Sequence, residues 1–507
     1  MPKHINKNLF SILIFTSALL FSGCKKVFEN FGDLNSDPNG TNSPVLSALL
    51  TNALTGLNNN TSNAIFDQGG FRTINGMYAQ YFTETQYTEF ARYSKTTINY
   101  DDVYAGPLND LQTIINRINE DNNVVRDVNG ANSLNTGLDS AYRSSLLGIA
   151  EILRAYYFWQ LTDTWGDIPY SEALKGKGNV RYDSQDSIYY DLIMQLKSSV
   201  QKLNNNPKID GDILFNGDNL KWKKLANSMQ LLMALRMSKA DPIKGKRIFM
   251  EALQNESGVI DDIDGKDNAV IASPGGTYQN TFYNYYEVVQ RKDYALTKTV
   301  TDILKSTGDS RIKVFGSSEV GFPYGLLRTD AVVFANDNLQ WARILAPDFR
   351  LEKSPIVILV ADQIKLARAE AALLGWTTED ANKLYQEAIE ANWKRWGVYI
   401  AVDFNNFINQ PIIKLTIGIN STQELLDKIA LQRWLAFYPD GTQGFAEWRR
   451  TGIPLLEPAP GMSKIPRRLV YGPNDAQLNT TNYLKVASKY KDASGIDSQF
   501  GRVWWDK

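Results

Sequence analysis

Apolar residues return every three or four positions through most of this chain, the spacing of helices with one buried face. Residues 45–57 show it first: Leu46, Leu49, Leu50, Ala53, Leu54 and Leu57 fall on one side, with Ser43 placed to cap the helix and Pro44 at its first position. The same period predicts helices over 71–82, 108–119, 141–162, 187–203 and 220–237, and again over 294–304, 356–374, 378–393, 422–437 and 443–449. Strict alternation is scarce, and Ala331-Val332-Val333-Phe334 is the best strand candidate. The expected fold class is mainly α.

A weak internal repeat points to stacked helix pairs. The run Leu366 to Trp376 is Ala-rich with Gly375 near its end, and it precedes a second helix in which Tyr385 stands three residues before Ala388. This outline is that of a tetratricopeptide unit, whose small residues let paired helices approach closely. Residues 146–161 and 187–203 form a similar pair, with the turn replaced by an insertion over 165–184. No linker long enough to demand a domain boundary interrupts residues 44–507, which are expected to form one domain.

The start of the chain changes the picture. Lys3 and Lys7 precede an apolar stretch over 9–21, too short to span a bilayer, which needs roughly 20 apolar residues. Residues 1–23 therefore read as an export signal. Leu20-Phe21-Ser22-Gly23-Cys24 has the pattern of a bacterial lipobox, which makes Cys24 the lipid-bearing residue and 24–43 a tether rich in Asn, Asp, Pro and Gly towards its end. The chain holds a single His, His4, and a single Cys, Cys24. Export removes the first and lipidation blocks the second, so Ser-His-Asp and Cys-His catalysis, His-ligated zinc, disulfides and thiol chemistry are excluded. With 54 Lys and Arg against 55 Asp and Glu, the balance argues against a nucleic-acid partner.

Four further segments carry a family resemblance. Leu161-Thr162-Asp163-Thr164-Trp165-Gly166-Asp167-Ile168-Pro169-Tyr170 closes a long helix; Asn216-Gly217-Asp218 leads into Lys221-Trp222-Lys223-Lys224-Leu225. Glu447-Trp448-Arg449-Arg450-Thr451-Gly452-Ile453-Pro454 is followed by Ile465-Pro466-Arg467-Arg468-Leu469, and Val503-Trp504-Trp505-Asp506 ends the chain. With the lipobox and Leu34-Asn35-Ser36-Asp37-Pro38-Asn39, these resemble the SusD/RagB-like outer-membrane lipoproteins. The resemblance implies a single helical domain on about four degenerate tetratricopeptide-like helix pairs, with an irregular ligand-facing portion. It also implies a cell-surface lid that captures oligosaccharides or peptides for a TonB-dependent β-barrel transporter of SusC type, anchored in the outer membrane through Cys24, and a binding protein, not an enzyme. No dense acidic run follows Cys24.

Read for chemistry alone, most of these motifs are structural. Trp165, Gly166, Pro169 and Tyr170 suit a helix end that turns sharply, and Arg449, Arg450, Arg467 and Arg468 suit buried ion pairs with carboxylates such as Glu447 and Asp506. Trp504 and Trp505 are expected to plug the core. Ligand contacts are expected from aromatic residues outside the periodic helices, where a ring meets the CH face of a sugar and amides meet its hydroxyls. Three segments qualify: Tyr87 and Tyr93 with Phe90 and Arg92; Tyr278, Tyr283, Tyr285 and Tyr286 among amides; and Trp341 beside Asn338 and Gln340. Residues 261–268 are dense in Asp but lack the closing Glu of an EF-hand, so a solvated turn is favoured over calcium, and no cofactor is expected. Two alternatives remain: a helical-repeat scaffold for envelope proteins, and a glycosidase working through paired carboxylates.

Overall fold

The helical period is realised as a set of packed α-helices joined by an irregular portion. A computed structural model describes residues 45–59, 71–94, 98–123, 140–204, 207–273, 275–276, 279–291 and 293–507. The export signal, Cys24, the tether, Ser43, Pro44 and Tyr278 lie outside the described residues.

The main helices are α1 (Leu46–Asn59), α2 (Phe71–Tyr78), α3 (Asn109–Asn123), α4 (Ser140–Trp165), α5 (Gln185–Lys202), α6 (Asn219–Arg236) and α7 (Pro242–Leu253). They continue as α8 (Lys298–Thr307), α9 (Arg328–Asp337), α10 (Ala361–Leu373), α11 (Ala381–Arg395), α12 (Ala401–Ile408), α13 (Thr422–Phe437) and α14 (Gly441–Thr451). Four successive pairs pack together, α4 on α5, α6 on α7, α10 on α11 and α13 on α14. Contacts of α5 with α6, α6 with α10 and α10 with α13 join the pairs, and α14 closes against α2 and α4. The last crossing is close: a Cβ on Gly441 would lie 2.6 Å from the Cα of Gly76, so only glycine fits there.

Local chemistry sets the helix ends. Asp218, Asp241, Asp380 and Asp440 cap α6, α7, α11 and α14 with side-chain oxygens on backbone N–H groups, and Ser421 and Glu424 form a reciprocal capping box on α13. Gly166 ends the turn after α4 at φ +88°, as its position after Trp165 predicts.

Among the described residues strands are few and short, in three antiparallel pairs: β1 (Phe82–Glu84) with β5 (Tyr294–Leu296), β2 (Ile168–Pro169) with β3 (Tyr182–Asp183), and β4 (Ala269–Ile271) with β6 (Ile356–Leu359). Three expected elements are corrected here. Residues 294–304 are a strand followed by α8, which Thr297 caps, and 356–374 are β6 followed by α10. The strand candidate Ala331 to Phe334 lies inside α9, where Ala331 and Phe334 turn to Phe322 and Trp341 while Val332 and Val333 face solvent. A run of four apolar residues with its first and fourth inward has helical spacing.

Buried charge joins the pairs. The carboxylate of Asp163, at the end of α4, accepts from Arg236 on α6 at 2.6 Å, from the Trp505 indole at 2.9 Å and from the Tyr189 hydroxyl on α5. The Asp163 carbonyl accepts from Arg449 on α14 at 2.6 Å. A second cluster places Glu447 between Arg433 and Arg450, with Arg450 gripping Glu370 on α10 by two bonds of 2.6 and 2.7 Å. Burial opposes ionisation of Glu447, yet the two guanidiniums hold it well below the usual carboxylate range. Arg467 pairs with Asp506 and Arg468 with Asp497. Trp505 is fully buried; Trp504, half-buried, packs on Tyr189 and Tyr190.

Replacing Asp163 by Ala leaves the fully buried Arg236 without its counter-charge, a change that typically costs about 3–5 kcal/mol. Urea unfolding of Asp163→Ala is expected to show a loss of that size, and a loss under about 1 kcal/mol would show that the network does not hold the frame.

Candidate functional site

The three aromatic segments nominated from sequence meet in the irregular portion, because β1 and β5 bring residues distant in the chain side by side. Phe82 pairs with Leu296 and Glu84 with Tyr294. Beyond β5, the Phe322 N–H donates to the Leu296 carbonyl at 2.9 Å and the Leu296 N–H to the Ala342 carbonyl at 2.9 Å, which draws the 320–342 region onto the same face.

The structure turns most of the nominated rings inward. Tyr93, Tyr285, Tyr286 and Trp341 are buried. The Tyr93 hydroxyl accepts from the Ala459 N–H at 2.9 Å, and Tyr285 accepts from the Asp293 N–H at 3.0 Å. Tyr286 donates to the Tyr294 carbonyl at 2.9 Å and carries Arg350 over its ring at 4.3 Å. Trp341 packs edge-on against Phe322 and lies under Arg343 at 4.2 Å. Tyr283 is half-buried in a short turn capped by Asn280. Tyr87 is 46% exposed, and the Arg328 guanidinium stands 5.3 Å from its ring centroid. In this conformation Tyr87 offers an exposed ring with a neighbouring cation, while the other rings are taken up in packing.

The loop that presents Tyr87 is held at several points. Glu84 Oε2 accepts from the backbone N–H groups of Phe90 and Ala91 at 2.9 and 3.0 Å. Arg92 donates to the Gly325 carbonyl at 2.7 Å, and Gln499 donates to the Tyr93 carbonyl at 2.8 Å. Leu327, Val332, Val333 and Leu339 are exposed on and beside α9, and Val288 and Val289 are exposed on the 284–291 segment. Arg328 and Glu84 were not singled out from sequence; Arg328 sits 241 positions from Tyr87 and no local pattern joins them. The Asp-rich turn is occupied by cations of the protein itself: Asp261 pairs with Lys365 and Arg368, and Asp267 with Lys224.

Glu84 gives the loop a pH signature. Burial raises its pKa to about 8, outweighing the two N–H bonds that favour the anion, and Glu89 and Asp293 add to the rise. The folded state therefore binds a proton that the unfolded chain releases between the ordinary carboxyl range and about pH 8, and stability falls as pH rises through that window. Glu84→Gln is expected to flatten the decline of the melting temperature between pH 5 and pH 8, read by thermal unfolding across a pH series; an unchanged slope would assign the decline to other groups.

The SusD-like family described as "Starch-binding associating with outer membrane" matches residues 38–472. A comparison with curated proteins finds no match. Among solved structures the fold is similar to that of a chitin-binding protein, at 25% identity and a TM-score of 0.73, covering 91% of this chain and 100% of that one. It is also similar to a chitin-binding SusD homolog from Flavobacterium johnsoniae, at 21% identity and a TM-score of 0.73 over 90% of this chain and 98% of that one. A SusD homolog from Bacteroides uniformis matches at 20% identity and a TM-score of 0.74, over 91% and 99%. A match over this share of the chain, on a frame of stacked helix pairs, places the protein in the SusD-like family.

Proposed function

We propose that this protein is a cell-surface lipoprotein that captures oligosaccharides and delivers them to a TonB-dependent β-barrel transporter. The observation that carries the reading is the exposed Tyr87 ring beside Arg328, presented by a braced loop on the irregular face of a SusD-like frame. A pyranose offers apolar CH groups to such a ring and hydroxyls to a guanidinium, and no covalent step is required. The chitin-binding relatives of the same fold favour a glycan over a peptide as cargo. The family's description as associating with the outer membrane agrees with a lipid anchor at Cys24 following the export signal over 1–23, with 24–43 as tether and 44–507 as the binding domain. Tyr283, half-buried beside the same face, and the buried Tyr93, Tyr285, Tyr286 and Trp341 would act on the ligand by supporting this surface. Tyr278 stays a candidate contact on sequence grounds.

Calorimetric titration with chitin, starch and other oligosaccharides and with a peptide panel tests the proposal. Saturable binding of an oligosaccharide is expected, weakened about five- to tenfold by Tyr87→Ala and less by Arg328→Ala, as the loss of one exposed stacking contact implies. Binding confined to peptides would overturn the glycan reading. Silence from both panels, with a barrel protein still co-purifying, would favour the scaffold.

A further inference from the structure

A partly open cavity of about 320 Å³ lies where the irregular portion meets the helix pairs. Its walls are mainly apolar: Phe282, Leu345, Phe349, Ile358, Trp396 and Phe437. Space of this size falls within the range of small-molecule pockets. Most polar groups at its edge are already satisfied. Arg395 donates to Asp362 and to the Ala436 carbonyl, Asn280 donates to the Ser354 carbonyl, and Asp440 accepts from the N–H groups of Thr442 and Gln443.

Two are not. The Trp396 indole N–H is buried and has no partner, in a residue only 6% exposed. Arg72 uses Nη1 on the Leu57 carbonyl at 2.9 Å, while its Nε and Nη2 are buried without a partner. Every one of these orphaned atoms is a donor, and both residues line the same cavity. Buried donors are nearly always matched in folded proteins, so three unmatched donors around one apolar space mark a place for an acceptor that the chain does not supply.

We propose that this cavity is a binding site for a compact apolar carboxylate, an aromatic or branched acid whose body fills the space and whose carboxylate accepts from Arg72 and Trp396. A carboxylate is acceptor-only, which suits donor-only partners; Asp440, the carboxylate of the chain that also lines the cavity and interacts with Arg72, is already engaged by the Thr442 and Gln443 N–H groups and leaves Nε and Nη2 of Arg72 unmatched. A sugar does not suit the site, because its hydroxyls would meet phenyl and aliphatic walls. The site is therefore separate from the Tyr87 shelf and takes a different class of ligand.

2-Naphthoate, a flat apolar acid, is the probe. Calorimetry on the purified protein is expected to show saturable binding at one site. Trp396→Phe keeps the ring and removes the donor, and should weaken binding about fivefold; Arg72→Gln should weaken it about tenfold. Val357 lines the cavity and is half-buried, so Val357→Trp should fill the space and abolish binding while leaving oligosaccharide titrations unchanged. No saturable heat up to about 1 mM, the weak end of specific binding, would overturn the proposal. So would full affinity in Trp396→Phe together with Arg72→Gln, a pair that tests it even where Val357→Trp fails to fold. The oligosaccharide titrations of Tyr87→Ala are read separately, so either site can fail without the other.

Discussion

Asp163 carries a buried negative charge at a point where four segments of the chain converge on it. Arg236, Tyr189, Trp505 and Arg449 reach it from α6, α5, the chain end and α14. An ionised carboxylate inside a protein is tolerated only when its lone pairs are filled and its charge is balanced, so the donors must arrive together. Apolar contact is non-directional and by itself specifies the register of the helix pairs less sharply than paired charges do. The pairs cannot slide against one another without opening this cluster, and the neighbouring group of Arg433, Arg450, Glu447 and Glu370 imposes the same condition on α10, α13 and α14. The chain end belongs to the frame for this reason: Trp505 both fills core volume and donates to Asp163.

The irregular portion rests on that frame through backbone pairing as well as side-chain packing. Much of it lies between α7 and α10, and it returns to the frame at β4 with β6 and at β1 with β5. Tyr81 anchors the junction. Its hydroxyl donates to the Trp434 carbonyl on α13, and its own carbonyl accepts from the Thr297 N–H, immediately after β5. The loop bearing Tyr87 and the helix bearing Arg328 are thereby held against a rigid base, which limits the ordering that a ligand must impose on them.

Local patterning made the helices legible. Apolar runs at helical spacing mark α4, α5, α6 and α13 within a few residues of their observed ends, because the run and its flanking end signals lie in the same short segment, even though α4 and α6 are buried on nearly every side. The errors fall where partners are remote. β5 reads as the start of a helix because its partner β1 lies over 200 positions upstream, and β6 merges with α10 because its pairing with β4 leaves no local mark. The site follows the same rule. Aromatic and amide-rich segments were found, and they do converge, but which ring faces out is decided by tertiary packing. Tyr87 and Tyr93 lie in one loop, yet one is an exposed shelf and the other is buried against Tyr78 and hydrogen-bonded by Ala459. Arg328 and the cavity lined by Arg72 and Trp396 each join residues far apart in the chain, so no window of sequence displays them.

The same separation explains why membership of the family leaves the cargo open. Relatives at 20–25% identity share this frame with TM-scores of 0.73–0.74. At that identity most surface positions differ, while a frame fixed by helix stripes and a few buried ion clusters tolerates the change. The exposed side chains of the Tyr87 loop, of Val288 and Val289 and of the outer side of α9 stand outside those constraints. A change at Asp163 or Glu447 acts on every function of the protein through the fold; a change at Tyr87 or Arg328 alters the shelf and leaves the frame intact.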